Sequence, residues 1–428
     1  MTTRAPSADV HSVCAFGYRP FARASLPASD KLTSVNTATM AAIRFTLAIG
    51  AIYAAGCKKK PVTQTPGASI SIPTAQAAYT TDNGSDALSV IDLDGTLVQS
   101  VAVNVDPDEA EAPHHLAVDA RAGLAFVALS FPAPPKKKKD PHGSHGNAES
   151  IGQLARLDLK TLAVRDLRPL EFNPGDILLT HDRTRVLVTH FDMKRAMNVA
   201  AKGGTAGSMF ASLMVWDART LDLIGKRPVC VAPHGTITTK DDRFAIVACY
   251  GSDELVIVDL TTPSLKSARY PLGAAQGLAG APSYGPYSVA LAPDGRRVVV
   301  ATLEASDVRV FDLESRSFLP EKTTFLRARA FFPAFIDDER VLVPTQAPDG
   351  LVRIHLERGA IEHRVQFDSD TCRAPHAVRR NPADRTFVVC EGDQKGPGSV
   401  IEVDAESLTV LRKWVVGVYP DGIAFGTD

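Results

Sequence analysis

Hydrophobic positions along this chain fall into short unbroken runs, not helical stripes. Phe244-Ala245-Ile246-Val247-Ala248, Leu255-Val256-Ile257-Val258 and Val298-Val299-Val300-Ala301 are examples. Runs of this length, rich in β-branched residues and bounded by turn signals, suit strands covered on both faces. The polar positions between them recur. Asp294-Gly295 and Asp241-Asp242 mark hairpins between a first and a second strand. Third strands end in Asp-Leu, at Asp92-Leu93, Asp158-Leu159, Asp259-Leu260 and Asp312-Leu313. A strand unit repeated in this way means a repeat architecture.

Seven prolines lead into the first strands: Pro113, Pro174, Pro233, Pro286, Pro333, Pro375 and Pro420. They stand roughly 40–60 residues apart, against about 40–50 for a four-stranded blade, so the early units carry insertions. The last unit has only a first strand, 422–425. Its missing strands lie at the other end, at 78–81, 87–91 and 96–103. The pattern predicts an all-β fold: a seven-bladed β-propeller of four-stranded blades, closed by one blade built from both termini. Such closure removes the free strand edges. A chain of 428 residues that is 45% hydrophobic can bury a domain of this size, here placed at 73–428.

Tyr79-Thr80-Thr81-Asp82-Asn83-Gly84-Ser85-Asp86 followed by Ser89-Val90-Ile91-Asp92 resembles the YVTN-type β-propeller repeat. Tyr250-Gly251-Ser252-Asp253 with Val256-Ile257-Val258-Asp259 does so too. The resemblance covers roughly 75–428. It implies the fold and leaves the activity open, because the family hosts surface proteins, binding proteins and some enzymes.

Strand direction turns the repeat into a map. If first strands start at the top of the ring, insertions 131–150 and 192–212 and loops 106–112 and 272–285 all emerge there. Long loops on a rigid scaffold are where binding resides. The residues after the leading prolines are His114, Gly175, His234, Tyr287, Ala334, His376 and Asp421, and they should line the channel mouth. His115 adjoins them, and His190 ends a second strand, as do Asp82, Ser130, Cys249, Thr302, Thr345 and Cys390. The candidate ligand site is therefore His114, His115, His190, His234, Tyr287, His376 and Asp421. Three readings stand: histidines bonded to carbonyls or water in a wet channel, a small polar ligand site, or a metal site.

Cys230-Val-Ala-Pro233-His234 and Cys372-Arg-Ala-Pro375-His376 share the pattern C-x-A-P-H. Each is followed by a cysteine ending the next strand, Cys249 and Cys390. Two disulfides, Cys/His metal ligation and free thiols are all open, and the repeat favours Cys230–Cys249 and Cys372–Cys390. Pairing Lys240 with Arg243 across the hairpin sets Cys249 opposite His234. A bridge then requires the chain before Pro233 to fold back until the Cα atoms lie within about 7 Å. No cofactor is expected; a metal at the His/Cys positions is the alternative.

Residues 40–57 read as a short positive region, an apolar stretch and a small-residue site ending at Cys57, a secretory signal too short to span a bilayer. Ala54-Ala55-Gly56-Cys57 resembles a bacterial lipobox, with Ala54 where Leu is usual. The resemblance implies lipidation of Cys57 and attachment to the cell envelope, facing the periplasm or the exterior. Residues 1–39 read as an upstream extension or disordered leader, and 58–72 as a flexible tether. Lys136 to Lys139 read as a solvated loop, and a net charge of -1 gives no support for a nucleic-acid partner. The expected function is an envelope-anchored, monomeric module that binds a protein or small molecule through the top face. A lactonase-like hydrolase or metal-dependent oxidase using the channel-mouth histidines is the alternative. No motif names a nucleophile or an acid/base pair.

Overall fold

The computed structural model describes residues 69–427, apart from 107–108, 132–147, 149, 275–276 and 278–280. The proposed signal, Cys57, the lysine run and most of the tether lie outside the described residues. Seven antiparallel sheets carry almost all of the described chain. Their innermost strands touch in chain order and the last meets the first, so the sheets form a ring. This is a seven-bladed β-propeller.

Blades 1 to 6 run in sequence, with innermost strands Pro113–Asp119, Pro174–Leu179, Pro233–Thr238, Pro286–Leu291, the pair Arg329–Ala330 and Ala334–Phe335, and Pro375–Arg380. Blade 7 joins the two ends. Ala77–Asp82 pairs with Ala87–Asp92 on one side and with Pro420–Phe425 on the other, Thr80 opposite Ile423. One α-helix, Met193–Ala201, stands among the described residues. The side chain of Asp192 caps it by accepting from the N–H of Arg195.

The unbroken apolar runs are the second and third strands. Ala245 to Cys249 are fully buried because blades stack face to face. Leu187, Leu213 and Val215 of blade 2 meet Ala245, Val247, Val256 and Val258 of blade 3 in one cluster. Each valine and leucine among them contributes about 1.5–3 kcal/mol by leaving water. The outermost strands face solvent on most positions, as in Ala360–Gln366. Residues 69–72 run along the edge of blade 7: Gln99 Oε1 accepts from the N–H of Ser71 at 2.8 Å, and Ile72 is buried.

Two features of the innermost strands depart from the sequence reading. First, every blade shifts register by one residue just after its leading position. Pro233 lies opposite Cys249 while Thr236 lies opposite Val247, and the same shift recurs in the other six. These are β-bulges, which re-aim side chains. Cys249 thus faces Pro233, not His234. Second, Pro333 does not lead blade 5. Ala330 holds that position, opposite Thr345, as Pro286 lies opposite Thr302. Pro333 has no N–H and interrupts the strand. There Phe332 turns to blade 6: its N–H donates to His376 O and its carbonyl accepts from Val378 N–H. Phe331, not Ala334, is the blade-5 counterpart of His376.

Candidate functional site at the channel mouth

Six leading prolines follow a residue with positive φ: Ala112, Asn173, Ala232, Gly285, Ala374 and Tyr419, at 44 to 58°. Five of these are not glycine, and non-glycine residues there cost about 1–3 kcal/mol each, a strain that clusters where a site must be shaped. The turn swings the chain inward and the bulge comes at once after it. Close approach completes the packing: a Cβ on Gly235 would lie 2.6 Å from Ser288 Cα.

The result is a buried cluster of four imidazoles from three blades. His114 and His115 have ring centroids 4.5 Å apart, His114 and His234 6.1 Å, and His115 and His376 5.9 Å. Tyr287 stacks on His234 at 3.9 Å. Phe332 sits among them, 4.9 Å from His115 and 5.3 Å from His376. Phe191, at the foot of the helical insertion, lies 5.1 Å from His234. All four imidazoles are at most 4% exposed.

Three of the histidines hold a carboxylate at Nδ1. His114 meets Asp421 at 2.6 Å, His115 meets Asp176 at 3.1 Å, and His376 meets Glu391. Thr81 donates its hydroxyl to Asp421 at 2.6 Å. Asp176 also accepts from the N–H of Thr236 at 2.9 Å, and Gln394 donates to Glu391 at 2.8 Å. Nε2 of His115 and of His376 is buried without a hydrogen-bond partner. His115 itself has a φ of 48°, so two consecutive histidines point inward.

Burial pushes His115 and His234 well below the usual histidine range, reinforced by the neighbouring histidines, so both are neutral at pH 7. Burial likewise lifts Asp176 to about 6, against the pull of Thr236 N–H and Arg379. For Asp421 burial also acts upward, but the charge and hydrogen bond of His114 prevail and hold it below the ordinary value. Burial raises Tyr287 well above the usual tyrosine value, so it stays a phenol. The Arg379 guanidinium lies 5.2 Å from the Phe332 ring centre, brings a positive charge next to Asp176, and has its pKa lowered by burial.

The structure brings His114, His115, His234, Tyr287, His376 and Asp421 together. His190 is built into the wall of blade 2: Nδ1 donates to Ser212 O at 2.8 Å and Nε2 accepts from Glu171 N–H at 3.2 Å. Both cystines form, Cys230–Cys249 and Cys372–Cys390, with Cα atoms 5.9 and 5.3 Å apart. Ala232 and Ala374, the left-handed residues of the two C-x-A-P-H motifs, provide the fold-back that the bridges need. Sequence reading missed Asp176, Arg379, Glu391, Phe331 and Phe332. For Glu391 a signal existed, since it comes directly after the strand-ending Cys390. Among the described residues no group of three or more His, Cys, Asp or Glu is arranged to hold a metal ion.

Fold and cluster together define the class, a seven-bladed β-propeller whose innermost strands begin at a buried polar cluster. Solved structures share this architecture at low identity. The periplasmic gluconolactonase of Pseudomonas aeruginosa is 16% identical, with a TM-score of 0.57 over 82% of this chain and 98% of that one. A putative 6-phosphogluconolactonase of Bacteroides fragilis is 11% identical, with a TM-score of 0.57 over 83% and 99%. A protein from Lactobacillus plantarum is 14% identical, with a TM-score of 0.58 over 82% and 99%. No protein-family model and no curated protein matches the chain. At these identities the likeness is one of fold.

Proposed function

We propose that the channel mouth is a hydrolytic site for a lactone, a cyclic ester of a small polyhydroxylated acid. The observation that carries this reading is the His376–Glu391 pair. Glu391 takes Nδ1, which leaves Nε2 buried and without a hydrogen-bond partner. Such an imidazole can draw a proton from water as the water attacks the lactone carbonyl, while the carboxylate stabilises the imidazolium formed; the imidazolium then gives that proton to the ring oxygen as the acyl C–O bond breaks, leaving the open hydroxy acid. Arg379 supplies positive charge for the developing oxyanion. Neighbours named as lactonases on the same scaffold support the choice of reaction.

The test is proton release during ring opening of a sugar lactone, followed in a pH-stat. His376→Ala and Glu391→Gln should each slow it by roughly 10²–10⁴-fold. Hydrolysis at the wild-type rate by His376→Ala overturns the assignment. A second reading, a module that binds without turnover, is favoured by the near-complete burial of the rings. It predicts that a lactone raises the melting temperature without being opened.

Two cystines fit an oxidising compartment. With the signal-like 40–57 they support export, and lipidation of Cys57 would anchor the domain to a membrane. Mass spectrometry of the mature N-terminus checks this; an unmodified terminus elsewhere than Cys57 refutes it.

A further inference from the structure

The two cystines occupy a position that recurs around the ring. Each joins the residue three before the leading proline to the residue opposite that proline. Blade 2 makes the same tie without sulfur, His190 accepting from the N–H of Glu171. Blade 7 makes it with Asp82, which accepts from the backbone of Gly417. Four blades therefore clamp the strap before the first strand to the end of the second. The two covalent clamps fall in blades whose next inward residue is a histidine.

The residue directly after the strand-ending cysteine sets the two covalent clamps apart. After Cys249 stands Tyr250, whose hydroxyl leaves the cluster to reach Glu304 at 2.9 Å. After Cys390 stands Glu391, which turns inward to His376. Around that bridge Glu391 N–H donates to Ala374 O, and Gly392 N–H to Arg373 O, both at 3.0 Å. One junction thus fixes the strap that carries His376 and the strand end that carries Glu391. Cys372 and Cys390 are each 1% exposed, so the clamp lies inside the wall.

We propose that the Cys372–Cys390 cystine is a positioning element for the His376–Glu391 pair, whereas Cys230–Cys249 holds the wall of blade 3 and leaves that pair alone. The part that concerns turnover rests on the hydrolytic reading above; the part that concerns geometry does not. Without the bridge, the strap and the strand end keep their backbone hydrogen bonds, the bond from Ala374 N–H to Asp349 at 2.9 Å and the Arg373–Asp393 ion pair at 4.0 Å, but lose the one covalent tie between them. The imidazole and the carboxylate then no longer hold one mutual geometry, and misplacement of about 1 Å is enough to slow a reaction about 100-fold.

The test compares two variants of the full chain, Cys372→Ala with Cys390→Ala and Cys230→Ala with Cys249→Ala. The readout is the imidazole nitrogen NMR signature of His376, assigned by its loss in His376→Ala. In the wild type it should report a proton on Nδ1 shared with the carboxylate. The first variant should lose this signature and the second keep it, even though both lose melting temperature. Lactone opening should fall roughly 10- to 100-fold in the first variant through kcat with KM little changed. An unchanged His376 signature in the first variant, or an equal loss in both, overturns the proposal. If the first variant does not fold, Cys372→Val with Cys390→Ala refills the wall and is read in the same way. A wild type that opens no lactone yet shows the expected NMR pattern removes the hydrolytic reading and leaves the positioning role standing.

Discussion

The two ends of the propeller axis use their polar residues differently. At the bottom, where the hairpins between first and second strands are short, several charges pair on the surface, although Asp242 is buried beside His181. Arg340 meets Asp337 and Glu406, and Arg297 meets Asp294 and Glu357, with Glu406 61% exposed. At the top, carboxylates and imidazoles are withdrawn from water and pair with one another. The exposed bottom pairs are screened and worth little; the buried pairs of the top cluster are costly to desolvate and tolerate no missing partner. The contrast locates the specialised end of a ring whose blades are otherwise alike.

The sharpest way to break this contrast is Asp421→Ala. It leaves His114 and Thr81 without their buried acceptor, and removing one partner of a buried pair costs about 3–5 kcal/mol. Urea denaturation should show that loss; a cost below about 1 kcal/mol would place the top pairs with the surface ones. A smaller effect depends on pH. Burial lifts Asp82 to about 7, far above its value in an unfolded chain. The folded state then holds a proton that the unfolded state releases, so stability from this group is full below about 4 and declines as pH rises towards 7. Asp82→Asn should flatten the stability profile between about pH 4 and 7, and an unchanged slope would contradict the raised value. At the bottom, Glu406→Ala should change stability by no more than about 1 kcal/mol, less still in high salt.

Much of the ring could be read directly from the chain, because its signals are local. Leading prolines, Asp-Leu strand ends and short apolar runs mark strands without reference to what they pack against. The site depends on pairing. A bulge exists only where two strands meet, so nothing near Asp176 announces that it will turn inward to His115. Pro333 looked like the other leading prolines, yet its missing N–H interrupts blade 5 and gives its inward position to Phe331. Alanine carries no mark of a left-handed conformation, so the fold-back at Ala232 and Ala374 could be required of the bridges but not foreseen. The C-x-A-P-H motifs were visible because the chain wrote them twice.

Blade 7 has a consequence for the order in which the molecule becomes competent. Asp421 lies on Pro420–Phe425, the strand that completes the ring against Ala77–Asp82. The carboxylate of His114 therefore arrives only when the two ends of the propeller zip together. A chain still emerging from synthesis, or clipped before Pro420, lacks at one stroke the seam of the cylinder and one of the three histidine–carboxylate pairs of the buried cluster. Completion of the fold and completion of the site are a single event.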